Sequence, residues 1–252
     1  MIPGVLIVNL GTPDAPTPGA LRRYLAEFLG DPRVVELPRW LWRLILHGFV
    51  LRVRPYRSAA MYRRIWTPEG SPMLRGSIEL ARALEARLTS RIGEALPVEL
   101  GMSYGQPGIT DAVQKLTERG AGRLIVLPLF PQYAASTTAS VFDRVTFALR
   151  RRRRVPGFSF IDEYHDEPGY IAALAASIRE FRSLHGAGER LLFSFHGLPA
   201  KMVERGDPYL GQCRRTAALV AESLTLDEGE WEIAFQSRVG AQRWLEPYTD
   251  AT

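Results

Sequence analysis

Cysteine is nearly absent: Cys213 is the single one in 252 residues. One thiol excludes an internal disulfide and any cysteine-cluster metal site within the chain, and it fits a reducing compartment. No apolar run approaches the roughly 18 residues that a membrane-spanning helix needs. The histidines, His47, His165, His185 and His196, form no His-x-x-x-His pair, so zinc-protease chemistry is not expected. Ser194 and His196 share a strand, but no Gly-x-Ser-x-Gly elbow is present for a hydrolase. The three-glycine dinucleotide fingerprint is missing, which weakens a nucleotide reading. No basic region precedes Val5-Leu6-Ile7-Val8, so no secretory signal is expected. Low-complexity segments, internal repeats and nucleic-acid modules are also lacking, and nucleic acid is not an expected partner.

What is present is arginine. The formal net charge is +5, and the run Arg150 to Arg154 contributes to it. That run falls at the C-terminal end of an expected helix, where cations complement the dipole and a solvated face is the ordinary reading. Hydrophobic residues at 46% and charged residues at 23% leave enough apolar side chain for a real core.

Strand and helix patterns alternate from end to end. Strands are expected at Gly4 to Leu10, Val98 to Tyr104, Arg123 to Pro128, Phe158 to Ile161, Leu191 to Phe195 and Trp231 to Gln236. Helices are expected from Thr17-Pro18, over Pro38 to Leu51, Ile78 to Ile92, Ile109 to Arg119 and Ala139 to Arg153. Two more run from Glu167-Pro168 to Leu184 and from Asp207-Pro208 to Leu224. Such alternation predicts an α/β fold with parallel sheets and helices on both faces. About three strands lie on each side of Tyr133. Two similar open, Rossmann-like domains facing across a cleft are therefore expected, at residues 1–133 and 134–252.

Leu191 to Phe195 is a buried-type strand, and His196 stands where it ends. Ligands of open α/β sheets gather outside the carboxyl ends of strands. An imidazole there can serve as a base near neutral pH or hold a borderline metal, or it can simply satisfy a hydrogen bond. Gly197 allows close approach of backbone, and Pro199 stops the strand. Ser136, Thr137 and Thr138 precede a helix, where hydroxyls act as N-caps and an anion can also be held. In Pro38 to Leu51, Arg39, Arg43 and His47 form a narrow polar stripe on an otherwise apolar helix with basic flanks. Both an ordinary buried helix and one lying in a membrane interface fit that pattern.

Several separated motifs together resemble the ferrochelatases, which insert ferrous iron into a porphyrin. They are Asn9-Leu10-Gly11-Thr12-Pro13, Gly70-Ser71-Pro72-Met73, Pro131-Gln132-Tyr133 through Ser136-Thr137-Thr138, Ser194-Phe195-His196-Gly197-Leu198-Pro199, Phe235-Gln236-Ser237-Arg238, and Trp244-Leu245-Glu246-Pro247-Tyr248-Thr249. Met73 stands where the family has leucine. The resemblance covers nearly the whole chain in order.

It implies a class II chelatase-like fold and iron insertion into protoporphyrin IX, the last step of haem synthesis. Ferrous iron is then a substrate, and neither a cofactor nor an iron–sulfur cluster is expected. The resemblance implies His196 as the catalytic residue and metal ligand. It implies porphyrin contacts at Leu10, Tyr104, Tyr133, Ser136, Thr137 and Trp244. It makes residues 38–51 a hydrophobic lip with peripheral membrane association, in a cytoplasmic protein at the inner membrane face. The rival readings are a non-catalytic tetrapyrrole-binding or shuttling protein, and a chelatase for another metal or tetrapyrrole. The family's glutamate opposite the histidine lies on a segment after Trp-Leu-x-Pro-Tyr-Thr. A chain ending at Thr252 is therefore expected to be weakly active or inactive, with an incomplete second domain and an apolar edge beside its last strand.

Overall fold

The computed structural model describes residues 2–238, 240 and 242–252. The chain divides into two compact units, residues 1–130 with 135–162, and residues 131–134 with 163–252.

The first unit is built on β1 (Ile2–Gly11). Its Val5 to Val8 run is buried because both faces of the strand are covered. After it come α1 (Pro18–Gly30), α2 (Arg39–Ile45), a π-helical turn at Leu46–Val50, α3 (Leu51–Ile65) and α4 (Pro72–Ile92). Then follow β2 (Val98–Tyr104), α5 (Ile109–Glu118), β3 (Ala121–Pro128), a second π-helical turn at Ala135–Ala139, α6 (Ser140–Arg150) and β4 (Gly157–Phe160). The sheet is parallel, in the order β2-β1-β3-β4. Val5 pairs with Val98 on one side and Ile125 on the other, and Arg123 pairs with Gly157. Leu6 and Val8 face a core with α5 and α6 residues Val113, Leu116, Val141 and Val145. Val5 and Ile7 face the opposite core with Ala81 of α4. This is the alternation that a period of two demands.

Two starts are set by side chains. Thr17 Oγ1 accepts the Ala20 N–H ahead of Pro18, and Ser71 Oγ accepts the Leu74 N–H ahead of Pro72. Ser71 therefore starts α4 well before the expected Ile78. The expected single helix over 38–51 is broken by the π-helical turn and continues through Pro55 to Ile65.

The second unit contains α7 (Pro168–His185), β5 (Leu191–His196), α8 (Ala200–Glu204), α9 (Tyr209–Ser223) and β6 (Trp231–Gln236). β5 and β6 are parallel, in register from Leu191 with Trp231 to His196 with Gln236.

Three further expectations change. The domain division does not fall between residues 133 and 134, and the strands split four and two rather than three and three. β4 pairs with β3, and the Ile161 N–H donates to the Val126 carbonyl, which keeps 135–162 with the first sheet. The β6 edge is not bare at Phe235 either. The Phe235 N–H donates to the Pro247 carbonyl at 2.8 Å and the Thr249 N–H to the Phe235 carbonyl at 3.0 Å.

Gly11 shows how tightly the first sheet ends. Its φ is +111°, and a Cβ there would lie 1.8 Å from the Tyr104 carbonyl oxygen. Gly11→Ala is expected to destabilise the chain by on the order of 3 kcal/mol, from left-handed strain plus the clash. Urea unfolding followed by circular dichroism measures this, and an unchanged midpoint would refute it.

Candidate active site at the β5 strand end

His196 is the last residue of β5 and is exposed at the strand's carboxyl end. The ladder continues one step beyond it, where the Gly197 N–H donates to the Gln236 carbonyl at 2.8 Å. A Cβ on Gly197 would meet that carbonyl at 2.9 Å and the Trp244 ring at 3.4 Å. The close approach that requires glycine is thus made by the chain's own β6 and Trp244. Residues 198–200 then pair with 243–245 in the antiparallel sense. The Leu245 N–H donates to the Leu198 carbonyl and the Ala200 N–H to the Arg243 carbonyl, both at 2.9 Å. Trp244, half-buried, is clamped beside the residue that follows His196. Partial burial pushes the His196 imidazole pKa below its ordinary value. The ring is therefore mostly neutral at pH 7, the form that takes a proton or holds a metal.

Tyr133 lies in the same unit, in a segment held from α9. Its N–H donates to Gln212 Oε1 at 2.6 Å, and Gln132 Nε2 donates to Thr216 Oγ1 at 2.9 Å. Sequence reasoning missed Gln212 and Thr216. Their signal is a polar pair at i and i+4 on the buried side of a helix. Beneath them, Leu198, Met202, Cys213, Phe235 and Leu245 form the core that supports β5.

The remaining predicted residues lie in the first unit. Leu10 is half-buried at the end of β1 and packs against the cluster that contains Leu21, Leu25 and Tyr104. Tyr104 is a core residue, only 1% exposed. Its hydroxyl donates to Asp31 Oδ2 at 3.1 Å, Ser140 Oγ donates to the same oxygen at 2.7 Å, and the Arg144 guanidinium lies 4.3 Å from the ring centroid. Burial raises its pKa and keeps it protonated. The expected porphyrin contact at Tyr104 is corrected on this ground, since the side chain has no surface to offer. A cavity of about 740 Å³ beside it is lined by Ser103, Gly105 and Arg144 rather than by the tyrosine.

Ser136 and Thr137 are half-buried within the π-helical turn that leads into α6. They do not occupy the expected N-cap position. That position belongs to Ala139, which makes no side-chain cap.

A parallel α/β protein with a neutral, strand-end imidazole over a tightly packed turn is the class that this geometry defines. The Ferrochelatase family model matches residues 3–252. The chain is 54% identical over 249 residues to the Ferrochelatase of Thioalkalivibrio sulfidiphilus, covering 99% of this chain and 68% of that one. It is 53% identical over 247 residues to the Ferrochelatase of Nitrosococcus oceani, covering 98% and 67%. For Ferrochelatase 2 of Shewanella oneidensis the identity is 51% over 249 residues, covering 99% and 76%. The chain belongs to the ferrochelatase family.

Cys213 is fully buried, and burial pushes its thiol up to about 12. It is expected to resist a water-soluble thiol reagent in the native state and to react stoichiometrically on unfolding. Rapid native labelling would show that the core beneath β5 opens readily.

Proposed function

We propose that this chain inserts ferrous iron into a porphyrin to form haem, with His196 acting directly on the reactants. One observation carries the reading: an exposed, mostly neutral imidazole ends β5 inside the Ser194 to Pro199 signature. Metal insertion requires that two pyrrole N–H protons leave, that iron shed water, and that the ring bend so that nitrogen lone pairs point out of plane. A neutral imidazole takes a pyrrole proton or holds the entering ion. Tyr133 and Trp244 are the proposed porphyrin walls of the second unit. Leu10 is a proposed apolar contact in the first unit, and Ser136 and Thr137 offer hydroxyls to a substrate carboxylate.

His196→Ala is expected to reduce iron insertion by about 10²- to 10⁴-fold while porphyrin affinity and the circular dichroism spectrum stay near those of the unmutated chain. Because the imidazole pKa is lowered, its basic form persists into mild acid. The acid limb of kcat/KM should therefore fall below the ordinary imidazole value of 6.5 and vanish in the variant. Near-normal turnover by His196→Ala would end the assignment. Porphyrin binding without turnover of ferrous iron by the unmutated chain under anaerobic conditions would favour a shuttling protein.

The outer face of α2 and of the π-helical turn after it supports a peripheral membrane contact as part of the same proposal. Trp40, Leu44 and Phe49 are 66–70% exposed, and Arg43 and His47 lie among them at the surface. On the inner side, Leu46 is buried, and Trp42 Nε1 donates to the Leu29 carbonyl. The exposed apolar side supports the interfacial reading over that of an ordinary buried helix. No helix among the described residues is long and apolar enough to cross a membrane. A lip that dips into an anionic surface by exposed aromatics and cations matches this pattern. Replacing Trp40, Leu44 and Phe49 together by Ser should abolish sedimentation with anionic vesicles and leave the unfolding midpoint nearly unchanged. Equal sedimentation of both proteins would refute the contact.

A further inference from the structure

One face of α9 gathers three segments that are remote in sequence. Tyr209, Gln212, Cys213 and Thr216 fall at i, i+3, i+4 and i+7, and so share a side of the helix. Gln212 and Thr216 are 7% and 3% exposed, and both spend their polar groups on backbone or side chains from elsewhere in the unit. Gln212 Oε1 accepts the Tyr133 N–H at 2.6 Å, while its Nε2 donates to the Glu163 carboxylate. Thr216 Oγ1 accepts from Gln132 Nε2 and donates to the His165 carbonyl at 2.7 Å. Tyr209 interacts with the backbone of His196 and with Cys213. A single buried helix face thus touches residues 131–133, residues 163–165 and the end of β5.

The Gln212 amide has no freedom to turn over. Its oxygen is fixed by an N–H donor and its nitrogen by a carboxylate acceptor, so a flip would lose both bonds at once. Tyr133 follows a proline and a glutamine in a short stretch that forms no strand or helix. The backbone of that stretch gets its position from these side chains and from the Tyr164 N–H, which donates to the Pro131 carbonyl at 3.0 Å.

We infer that Gln212 is a positioning residue for the reaction, holding Tyr133 at the place where it meets porphyrin, with Thr216 holding the neighbouring Gln132. This rests on the reading that Tyr133 is a porphyrin wall and His196 the reacting imidazole. Gln212 acts on the substrate only through the Tyr133 backbone, so its loss belongs in porphyrin binding rather than in the chemical step. A residue that merely stabilised the fold would change the amount of active protein, lowering apparent kcat and leaving KM alone.

The test compares Gln212→Ala, the double variant Gln212→Glu with Glu163→Gln, and Thr216→Val with Tyr133→Ala and His196→Ala in steady-state iron insertion, with porphyrin varied. Gln212→Ala should raise the porphyrin KM about tenfold with kcat within about twofold, the size of one buried hydrogen bond. Gln212→Glu keeps an acceptor for the Tyr133 N–H but sets a carboxylate against that of Glu163, so it is combined with Glu163→Gln, which restores a donor–acceptor pair there. The double variant should recover most of the lost affinity, even if Gln212→Ala folds poorly. Thr216→Val should raise KM by a smaller factor. If the Gln212 variants leave KM unchanged, or lose kcat in step with the folded fraction, the inference is overturned while the site reading stands. If Tyr133→Ala and His196→Ala are themselves silent, the site reading falls and the inference with it.

Discussion

A parallel strand cannot simply stop. Where its ladder ends, the last backbone groups lose their partners, and something else must meet them. Both units of this chain are shaped by that constraint. In the first, Gly11 and Tyr104 end together at the sheet's carboxyl edge. The Tyr24 hydroxyl donates to the Gly11 carbonyl, and the Asp31 carboxylate collects the Tyr104 and Ser140 hydroxyls. In the second, residues 243–245 take up the carbonyl of Leu198 and the N–H of Ala200. His196 is thereby held between a strand on one side and a clamped turn on the other.

The clamp determines what the histidine can do. An imidazole on a loose loop would be solvated and would sample many orientations. This one ends a strand whose next residue is pressed between the Gln236 carbonyl and the Trp244 ring. The same arrangement removes part of its hydration, which lowers the pKa and favours the neutral ring. The core below, with a fully buried Cys213 and Phe235, backs that position. Packing, strand termination and proton affinity are three aspects of one local structure.

Sequence patterns revealed much of this, and their failures share a cause. The β5 strand, its terminal histidine and the glycine after it were legible because a continuous apolar run bounded by Gly and Pro has few other readings. The partner of a strand was not legible: Phe158 to Phe160 looks the same whichever sheet it joins, and only the ladder to Arg123 through Val126 decides. Tyr104 at a strand end reads as a ligand contact or as core, the commoner fate of an aromatic side chain. The deciding residues, Asp31, Ser140 and Arg144, lie on other elements. The extension of α3 through Pro55 was hidden because an interior proline usually ends a helix. Gln212 was missed for a related reason: its pairing with Thr216 marks a buried polar face, but its importance comes from Tyr133 and Glu163 rather than from its neighbours on α9.

The segment made of α2 and the π-helical turn after it divides its labour between two sides. Its inner residues, Leu46 with Leu51 just beyond, are buried against Leu21, Leu25 and Leu29, and Trp42 is tied to the α1 carbonyl of Leu29. These contacts suffice to dock the segment, since burying each large apolar side chain is worth about 1.5–3 kcal/mol. Trp40, Leu44 and Phe49 add nothing to that docking while they face water, and their exposure disfavours solubility. Polar residues at the same positions would keep the inner packing intact. A side whose hydrophobicity is not needed to hold the helix in place is best explained by contact with something outside the fold. The cations among those residues suit the anionic surface proposed as that partner.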